Sequence, residues 1–174
     1  MTKTLPRAVA AAVIILLAVL MSAPARSGPA ELALLTSYIG DWRGEGALVG
    51  GQNPEPFRCR LTMSSGNLSK INYAGRCSLI NMNLSVSGTI AYNDQAQRYE
   101  AVMSSNAGFT GLAVGRKQGD TISFDLRERQ SDRGGNDVRI GSRITLSGGA
   151  IRVDYEVEFN NSGQVLTAAV PFRR

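Results

Sequence analysis

The sequence predicts an all-β protein, an antiparallel up-and-down β-barrel of about ten strands with a short N-terminal helix. Apolar and polar residues alternate along most of the chain, which is the period of strands with one buried face. Turn-forming pairs such as Gly119-Asp120 and Gly148-Gly149 recur at short intervals, so each strand is expected to pair with the next. Pairing between sequence neighbours closes naturally into a barrel without free edges. A β-sandwich is the alternative architecture.

The N-terminus has the pattern of a signal peptide. Lys3 and Arg7 precede an apolar run at 8–21, and small residues follow up to Ala25. The run is shorter than the roughly 20 residues that cross a bilayer. We therefore expect residues 1–25 to be removed, with no stable membrane insertion afterwards and a periplasmic or secreted location.

The remainder divides into an N-terminal segment and one barrel domain. Residues 26–40 form the segment, whose helix is expected at ELALLTSYI, 31–39, and residues 41–174 form the barrel. The clearest strand is AIRVDYEVEF, in which every second residue is apolar. The predicted strands are 42–50, 55–64, 69–80, 82–93, 97–105, 109–118, 121–130, 138–147, 150–160 and 164–173.

The chain contains two cysteines, Cys59 and Cys77. Both belong to the apolar set of their predicted strands, which flank the turn residues 64–67. In an oxidising compartment such a pair usually forms a disulfide, and neighbouring antiparallel strands can accommodate it. Without a CxxC motif or any histidine, a redox or metal role has no support, so no metal site is predicted.

Charge and composition argue against catalysis and against nucleic-acid binding. Removing Lys3 and Arg7 from the 19 basic residues leaves 17, interspersed with 14 acidic ones, so no basic stripe is evident and no nucleic-acid partner is predicted. The absence of histidine excludes Ser–His and Cys–His pairs. No acidic pair falls on the inward side of the strands, so no catalytic residue is predicted.

The polar exceptions on the inward side are mostly tyrosines. They are Tyr73, Tyr92, Tyr99 and Tyr155. An apolar interior with a few phenols suits a small apolar ligand whose polar group reaches a hydroxyl. The alternative is that these tyrosines pack in the core with their hydroxyls satisfied by backbone or water.

Three further features have two interpretations each. Residues 104–111 could form a mobile portal with Phe109 exposed, or a plain hairpin turn. The polar segment 127–139 could recognise an anionic partner, although a solvated loop is the default. A membrane-embedded barrel would also show alternating strands, but it needs aromatic girdles, and aromatic residues make up 6% of this chain.

The stretch IGDWRGEG, residues 39–46, places Gly-x-Trp-x-Gly-x-Gly at the entrance to the first strand. It resembles the lipocalin and fatty-acid-binding superfamily of calycin-like barrels, and most closely the nitrobindin branch. The resemblance implies a ten-stranded barrel in which Trp42 closes the bottom beside an arginine, with Arg173 or Arg174 as the candidate. Nitrobindins hold haem through a histidine, which this chain lacks, so that mode of haem binding is excluded and no cofactor is expected.

A second resemblance is to small secreted inhibitors of bacterial metalloproteases, which also combine a Gly-x-Trp barrel with one early disulfide. It implies a protein-interaction module that acts through its loops. The first expectation is therefore non-catalytic binding of a small apolar ligand in the barrel interior, and the alternative is a protein partner.

Overall fold

The computed structural model describes residues 27–80, 83–131 and 134–174, and the expected signal peptide lies outside them. Helix α1 (Ser27–Thr36) precedes ten strands: β1 Gly40–Leu48, β2 Glu55–Ser65, β3 Lys70–Ser78, β4 Asn83–Asn93, β5 Arg98–Ser105, β6 Thr110–Gln118, β7 Thr121–Ser131, β8 Asp137–Ser147, β9 Ala150–Phe159 and β10 Gln164–Arg173. Each strand pairs with its sequence neighbour, and β1 pairs with β10, which closes the barrel. The predicted ten-stranded antiparallel barrel is confirmed. In this described part, no helix has the length and apolar character needed to cross a membrane.

The strands begin and end within two residues of their predicted positions. The polar segment 127–139 is mostly strand rather than loop, since β7 continues to Ser131 and β8 begins at Asp137. Arg129 and Arg139 are directly paired in that ladder. Glu128 and Gln130 are polar although they pair with the buried Ile140 and Val138, so the alternation that marks a strand is lost at this end of β7 and polarity alone did not distinguish the hairpin from a loop.

The helix begins and ends earlier than the predicted 31–39, at Ser27–Thr36. Pro29 fits in the first helical turn because the N–H that it lacks would have no partner there. At the other end, Thr36 Oγ1 donates a hydrogen bond of 2.9 Å to the carbonyl of Ala33. Hydroxyl groups that bind nearby carbonyls weaken helix continuation, and the chain turns directly into β1.

Two glycines of the Gly-x-Trp stretch are needed where β1 meets β10. A Cβ on Gly44 would lie 2.6 Å from Val170 Cγ1, and one on Gly46 would lie 2.9 Å from the carbonyl oxygen of Ala169. Both contacts are too short for a side chain. The glycines therefore allow the first and last strands to approach closely at the seam of the barrel.

The up-and-down order gives the barrel two ends. At one, which we call the closed end, α1 packs across the opening between Tyr38 and Tyr99, beside the chain terminus at Arg174. At the other, the open end, the β1–β2, β3–β4, β5–β6, β7–β8 and β9–β10 connections surround the mouth. Large side chains fill the closed end completely, namely Leu35, Tyr38, Trp42, Tyr99 and Phe124, each at most 2% exposed.

Candidate functional site

The barrel encloses a cavity of about 710 Å³ that reaches the open end. Its wall is made mainly of inward-facing apolar side chains from β2–β5 and β8–β10, among them Phe57, Leu61, Ile90, Ile144, Val153 and Val157. A volume of this size is within the range of small-molecule sites, which are roughly 300–1,000 Å³. Ten strands enclose more space than inward side chains of this size fill, and so the open half of the interior remains empty.

The closed end is formed around Trp42. Its Nε1 donates a 3.0 Å hydrogen bond to the carbonyl of Tyr38, and the two rings stack with centroids 6.2 Å apart. The guanidinium of Arg174 lies 4.6 Å from the centroid of the Trp42 ring, which is a cation–π contact. Arg174 also donates to the carbonyls of Ser37 and Ile39. These contacts connect Arg174 to the turn after α1 and to the start of β1.

Of the two arginines expected beside the tryptophan, Arg174 takes that place. Arg173 is the last residue of β10, is exposed, and pairs across the seam with Arg43 of β1. The reason is geometric, because Arg173 keeps the outward orientation of the strand. Arg174 follows the end of the strand and can turn beneath Trp42.

Tyr92 and Tyr99 lie at the closed end and are not part of the cavity wall. Their rings meet edge to face, with centroids 5.0 Å apart, and Tyr99 also contacts Phe124. The Tyr99 hydroxyl donates to the carboxylate of Glu31 on α1, and Lys117 Nζ lies 2.9 Å from both oxygens of that carboxylate. This group of polar contacts attaches the helix to β5 and β6.

The protonation states of this cluster are consistent with that structural role. Burial raises the pKa of Glu31, but hydrogen bonds from Tyr99 and Lys117 and the charge of Lys117 outweigh it and hold the pKa below its usual value. Burial and the hydrogen bond to Glu31 raise the pKa of Tyr99 well above its usual value. Glu31 therefore stays ionised and Tyr99 stays protonated at neutral pH.

Tyr73 and Tyr155 both line the cavity, but their hydroxyls differ. Tyr73 Oη donates a 2.9 Å hydrogen bond to the carbonyl of Val102, two strands away. Its ring reaches that carbonyl by crossing Gly88, where a Cβ would lie 2.6 Å from the hydroxyl oxygen. Burial raises the pKa of Tyr73 to about 12. This hydroxyl is already used by the fold.

Tyr155 lies at the middle of β9, opposite Ser142 of β8 and Ala168 of β10. Within the described residues its hydroxyl has no hydrogen-bond partner, whereas every fully buried side-chain nitrogen or oxygen atom there has one. The hydroxyl thus faces cavity space. Burial raises the pKa of Tyr155 to about 12, so the group is a neutral phenol that can donate or accept a hydrogen bond.

The disulfide predicted between Cys59 and Cys77 is present and connects β2 to β3 directly across the ladder. Both cysteines belong to the cavity wall, and Cys59 is 2% exposed. No free cysteine occurs in the described part of the chain. The bridge therefore supports the wall of the open half and leaves no thiol there for chemistry.

The mouth of the cavity is formed by the open-end connections. Ala107 and Phe109 of the segment 104–111 line it, as does Phe159 at the end of β9. Phe109 is half-buried rather than exposed, because it packs against a buried group formed by Val138, Ile140 and Val157. The predicted portal segment is thus placed at the mouth, but its aromatic ring points towards the barrel.

Comparisons with known proteins bear on the fold. No family model and no curated protein matches the chain. The crystal structure of Rv2717c from M. tuberculosis matches with a TM-score of 0.63 and 16% identity, covering 82% of this chain and 96% of that chain. The S-type phycobiliprotein lyase CPES from Guillardia theta matches with a TM-score of 0.54 and 15% identity, covering 84% and 92%. These matches support the barrel fold, while membership of the calycin superfamily and of its nitrobindin branch stays a prediction.

Proposed function

We propose that the protein binds a small apolar ligand inside the barrel without transforming it. The observation that carries the proposal is the cavity of about 710 Å³, which is apolar, closed at the end filled by Trp42, and open at the other. Burying a hydrocarbon there would gain roughly 25 cal/mol per Å² of apolar surface. A core of this kind would be better packed if it served stability alone.

The hydroxyl of Tyr155 defines the polar part of the proposed ligand. It is a phenol in a largely apolar wall, without a partner within the described residues. An unpaired hydrogen-bonding group in an apolar part of the wall favours a ligand with a matching polar group and penalises a pure hydrocarbon. The expected ligand is therefore mostly hydrocarbon with one hydroxyl, carbonyl or similar group about halfway along the barrel.

We also propose that the protein works outside the cytoplasm. The apolar run at 8–21 and the Cys59–Cys77 bridge support this, because structural disulfides persist in oxidising compartments. An intact mass of the protein isolated from its host should correspond to a chain that begins at Arg26. A chain retaining residues 1–25 would contradict export by signal cleavage.

A matched pair of substitutions tests the ligand site. Ala168 lines the cavity opposite Tyr155, and its neighbour Ala169 is on the outer surface. We expect the wild-type protein to bind the neutral fluorophore N-phenyl-1-naphthylamine, detected by its increased emission. Ala168→Phe should reduce that binding at least tenfold by occupying the cavity, whereas Ala169→Phe should leave it unchanged. Melting curves of both variants establish that each is folded.

Two outcomes would count against the proposal. Equal fluorophore binding by Ala168→Phe and wild type would place the probe elsewhere on the molecule. No fluorophore binding, together with a bare protein mass after isolation from the host without detergent, would leave the cavity without a ligand. The protein-interaction alternative would then be the better account. A co-purifying adduct that organic solvent releases would identify the ligand class directly.

A further inference from the structure

Four arginines form a continuous row across the outer surface of the barrel. The pairing register sets Arg173 of β10 opposite Arg43 of β1, Arg43 opposite Arg60 of β2, and Arg60 opposite Arg76 of β3. All four side chains are exposed. Adjacent strands lie about 4.8 Å apart, so the row extends about 14 Å around the barrel. We call it the arginine row.

The arginine row has no internal charge compensation. None of its members forms an ion pair with another residue of the described ranges 27–80, 83–131 and 134–174. The nearest acids on β1 are engaged with other side chains, because Glu45 binds Arg58 at 3.1 Å and Asp41 accepts a 2.7 Å hydrogen bond from Thr62. Like charges directly opposite one another destabilise a sheet. The row therefore weakens the fold unless an anion covers it.

The chemistry of the row favours phosphate groups. Guanidinium groups bind phosphate oxygens in a bidentate manner, and a line of them matches a repeating array of phosphates better than one small anion. Arg60 and Arg76 also border a surface depression of about 590 Å³, whose floor includes Ser85, Ser87 and Ser104. Hydroxyl donors beside two arginines suit an oxyanion that rests on the surface.

The surroundings of the row indicate which phosphates. The residues that flank the row on β1, β2 and β3 include no aromatic ring on which a nucleic-acid base could stack; they are Asp41, Thr62 and Ala74 on one side and Glu45, Arg58 and Ser78 on the other. Ile80 lies two residues beyond the end of β3; its side chain is 73% exposed, and its backbone N–H donates a 2.7 Å hydrogen bond to Glu55 Oε1. A cationic surface with an exposed apolar side chain at one edge is the composition of a protein that lies on a bilayer.

We propose that the arginine row binds the phosphate headgroups of an anionic lipid surface, with Ile80 entering the interfacial region. Leu79 and Leu84, on either side of the β3–β4 connection, line the mouth of the cavity. Contact through this face would therefore bring the open end of the barrel close to the lipid. The proposal is argued from exposed residues of this face, of which Arg60 and Arg76 also border the cavity.

Vesicle binding with charge-matched variants tests this proposal. Vesicles of phosphatidylcholine with 30% phosphatidylglycerol are sedimented with the protein, and vesicles of phosphatidylcholine alone measure any contribution from the apolar run 8–21. The double variant Arg60→Gln/Arg76→Gln removes two charges from the row. The control Arg127→Gln/Arg129→Gln removes two exposed charges from β7, which lies across the barrel.

We expect the row variant to bind anionic vesicles about thirtyfold more weakly, which is the effect of two arginines near such a surface, and the control to change less than threefold. Binding of the wild type should fall as salt is raised. The row variant should melt no lower than the wild type, because two adjacent like charges have been removed. Ile80→Ser should weaken vesicle binding without changing the salt dependence.

Three results would overturn the proposal. The wild type could fail to prefer anionic over neutral vesicles. The two double variants could lose the same affinity, which would show that net charge alone governs the contact. A single-stranded oligonucleotide could displace the protein from vesicles in a manner that depends on Arg60 and Arg76, which would assign the row to nucleic acid instead.

Discussion

The two ends of the barrel use the same inward-facing strand positions for different purposes. At the closed end, Trp42, Tyr38 and Tyr99 are at most 2% exposed, and the indole N–H of Trp42 and the hydroxyl of Tyr99 are hydrogen-bonded. At the open end, smaller aliphatic side chains line a cavity of about 710 Å³, and the hydroxyl of Tyr155 is left unpaired. One end is packed as a core, and the other encloses the cavity that we propose as a ligand site.

This difference predicts that stability and the proposed ligand binding depend on different parts of the barrel. A dense group of large side chains contributes several kcal/mol when it is complete, because each removed side chain leaves a void. A wall around empty space contributes less, since its side chains have no packing partners on one side. We therefore expect substitutions at the closed end to change stability mainly, and substitutions in the open half to change binding mainly.

The largest expected effect is at Trp42. Trp42→Ala should lower the free energy of unfolding by about 4 kcal/mol, since it removes a fully buried ring and the contacts of Tyr38 and Arg174 with it. Phe109→Ala at the open end should cost only about 1 kcal/mol, because that ring is half-buried. Urea unfolding followed by circular dichroism measures both.

Comparable losses for these two variants would remove the distinction between the ends. Trp42→Phe serves as a further control, because it retains a ring in the plug but loses the indole N–H that binds Tyr38. Its cost should lie between those of Trp42→Ala and Phe109→Ala. An unaltered melting curve for Trp42→Ala would show that the tryptophan does not close the barrel.

The disulfide is the exception within the open half, because it stabilises the wall covalently. It closes a loop with a sequence separation of 18 residues. The double variant Cys59→Ala/Cys77→Ala should lose about 3 kcal/mol on the chain-entropy model, with fluorophore affinity changed less than threefold. Thermal melting with and without reductant gives the same comparison in the wild-type protein. Equal melting temperatures under the two conditions would contradict a stabilising bridge.

The sequence predicted the architecture well because strand period and turn residues are local signals. The ten strands, their order and the bridge between Cys59 and Cys77 all follow from alternation and from short connections. The start of α1 at Ser27 was not predicted. Proline usually interrupts a helix, and the sequence alone does not show that Pro29 lies in the first turn, where proline is accepted.

The candidate site was only partly predictable, because alternation gives the side of a strand but not the height along the barrel. Tyr92 and Tyr99 share the inward orientation of Tyr73 and Tyr155, yet they lie below the cavity where α1 covers them. The arginine row could not be predicted from the sequence, for a related reason. Each of its members is separated from the next by at least 15 residues of sequence, and only the pairing register places them side by side.

The smallest stability effects, and the sharpest functional contrast, concern the two phenols of the cavity wall. Tyr73→Phe should cost about 1 kcal/mol, since it removes the hydrogen bond to Val102, and should leave ligand preference unchanged. Tyr155→Phe should leave stability at pH 7 within about 0.5 kcal/mol of wild type, because its hydroxyl has no partner to lose in the described structure. Displacement of the bound fluorophore by 1-naphthol, relative to 1-methylnaphthalene, measures the preference for a hydroxyl group.

Only Tyr155→Phe should reduce that preference, by about fivefold, which corresponds to one hydrogen bond of about 1 kcal/mol.

The stability of the same two variants should differ from that of the wild type at alkaline pH. Both phenols have a pKa of about 12 in the folded protein, against about 10 when unfolded. Between these values the unfolded chain releases protons that the folded chain retains, so stability falls as the pH rises. Each substitution to Phe should remove part of that fall in stability with pH.

A loss of hydroxyl preference in Tyr73→Phe but not in Tyr155→Phe would reverse the assignment of the two phenols, and with it the position of the ligand's polar group.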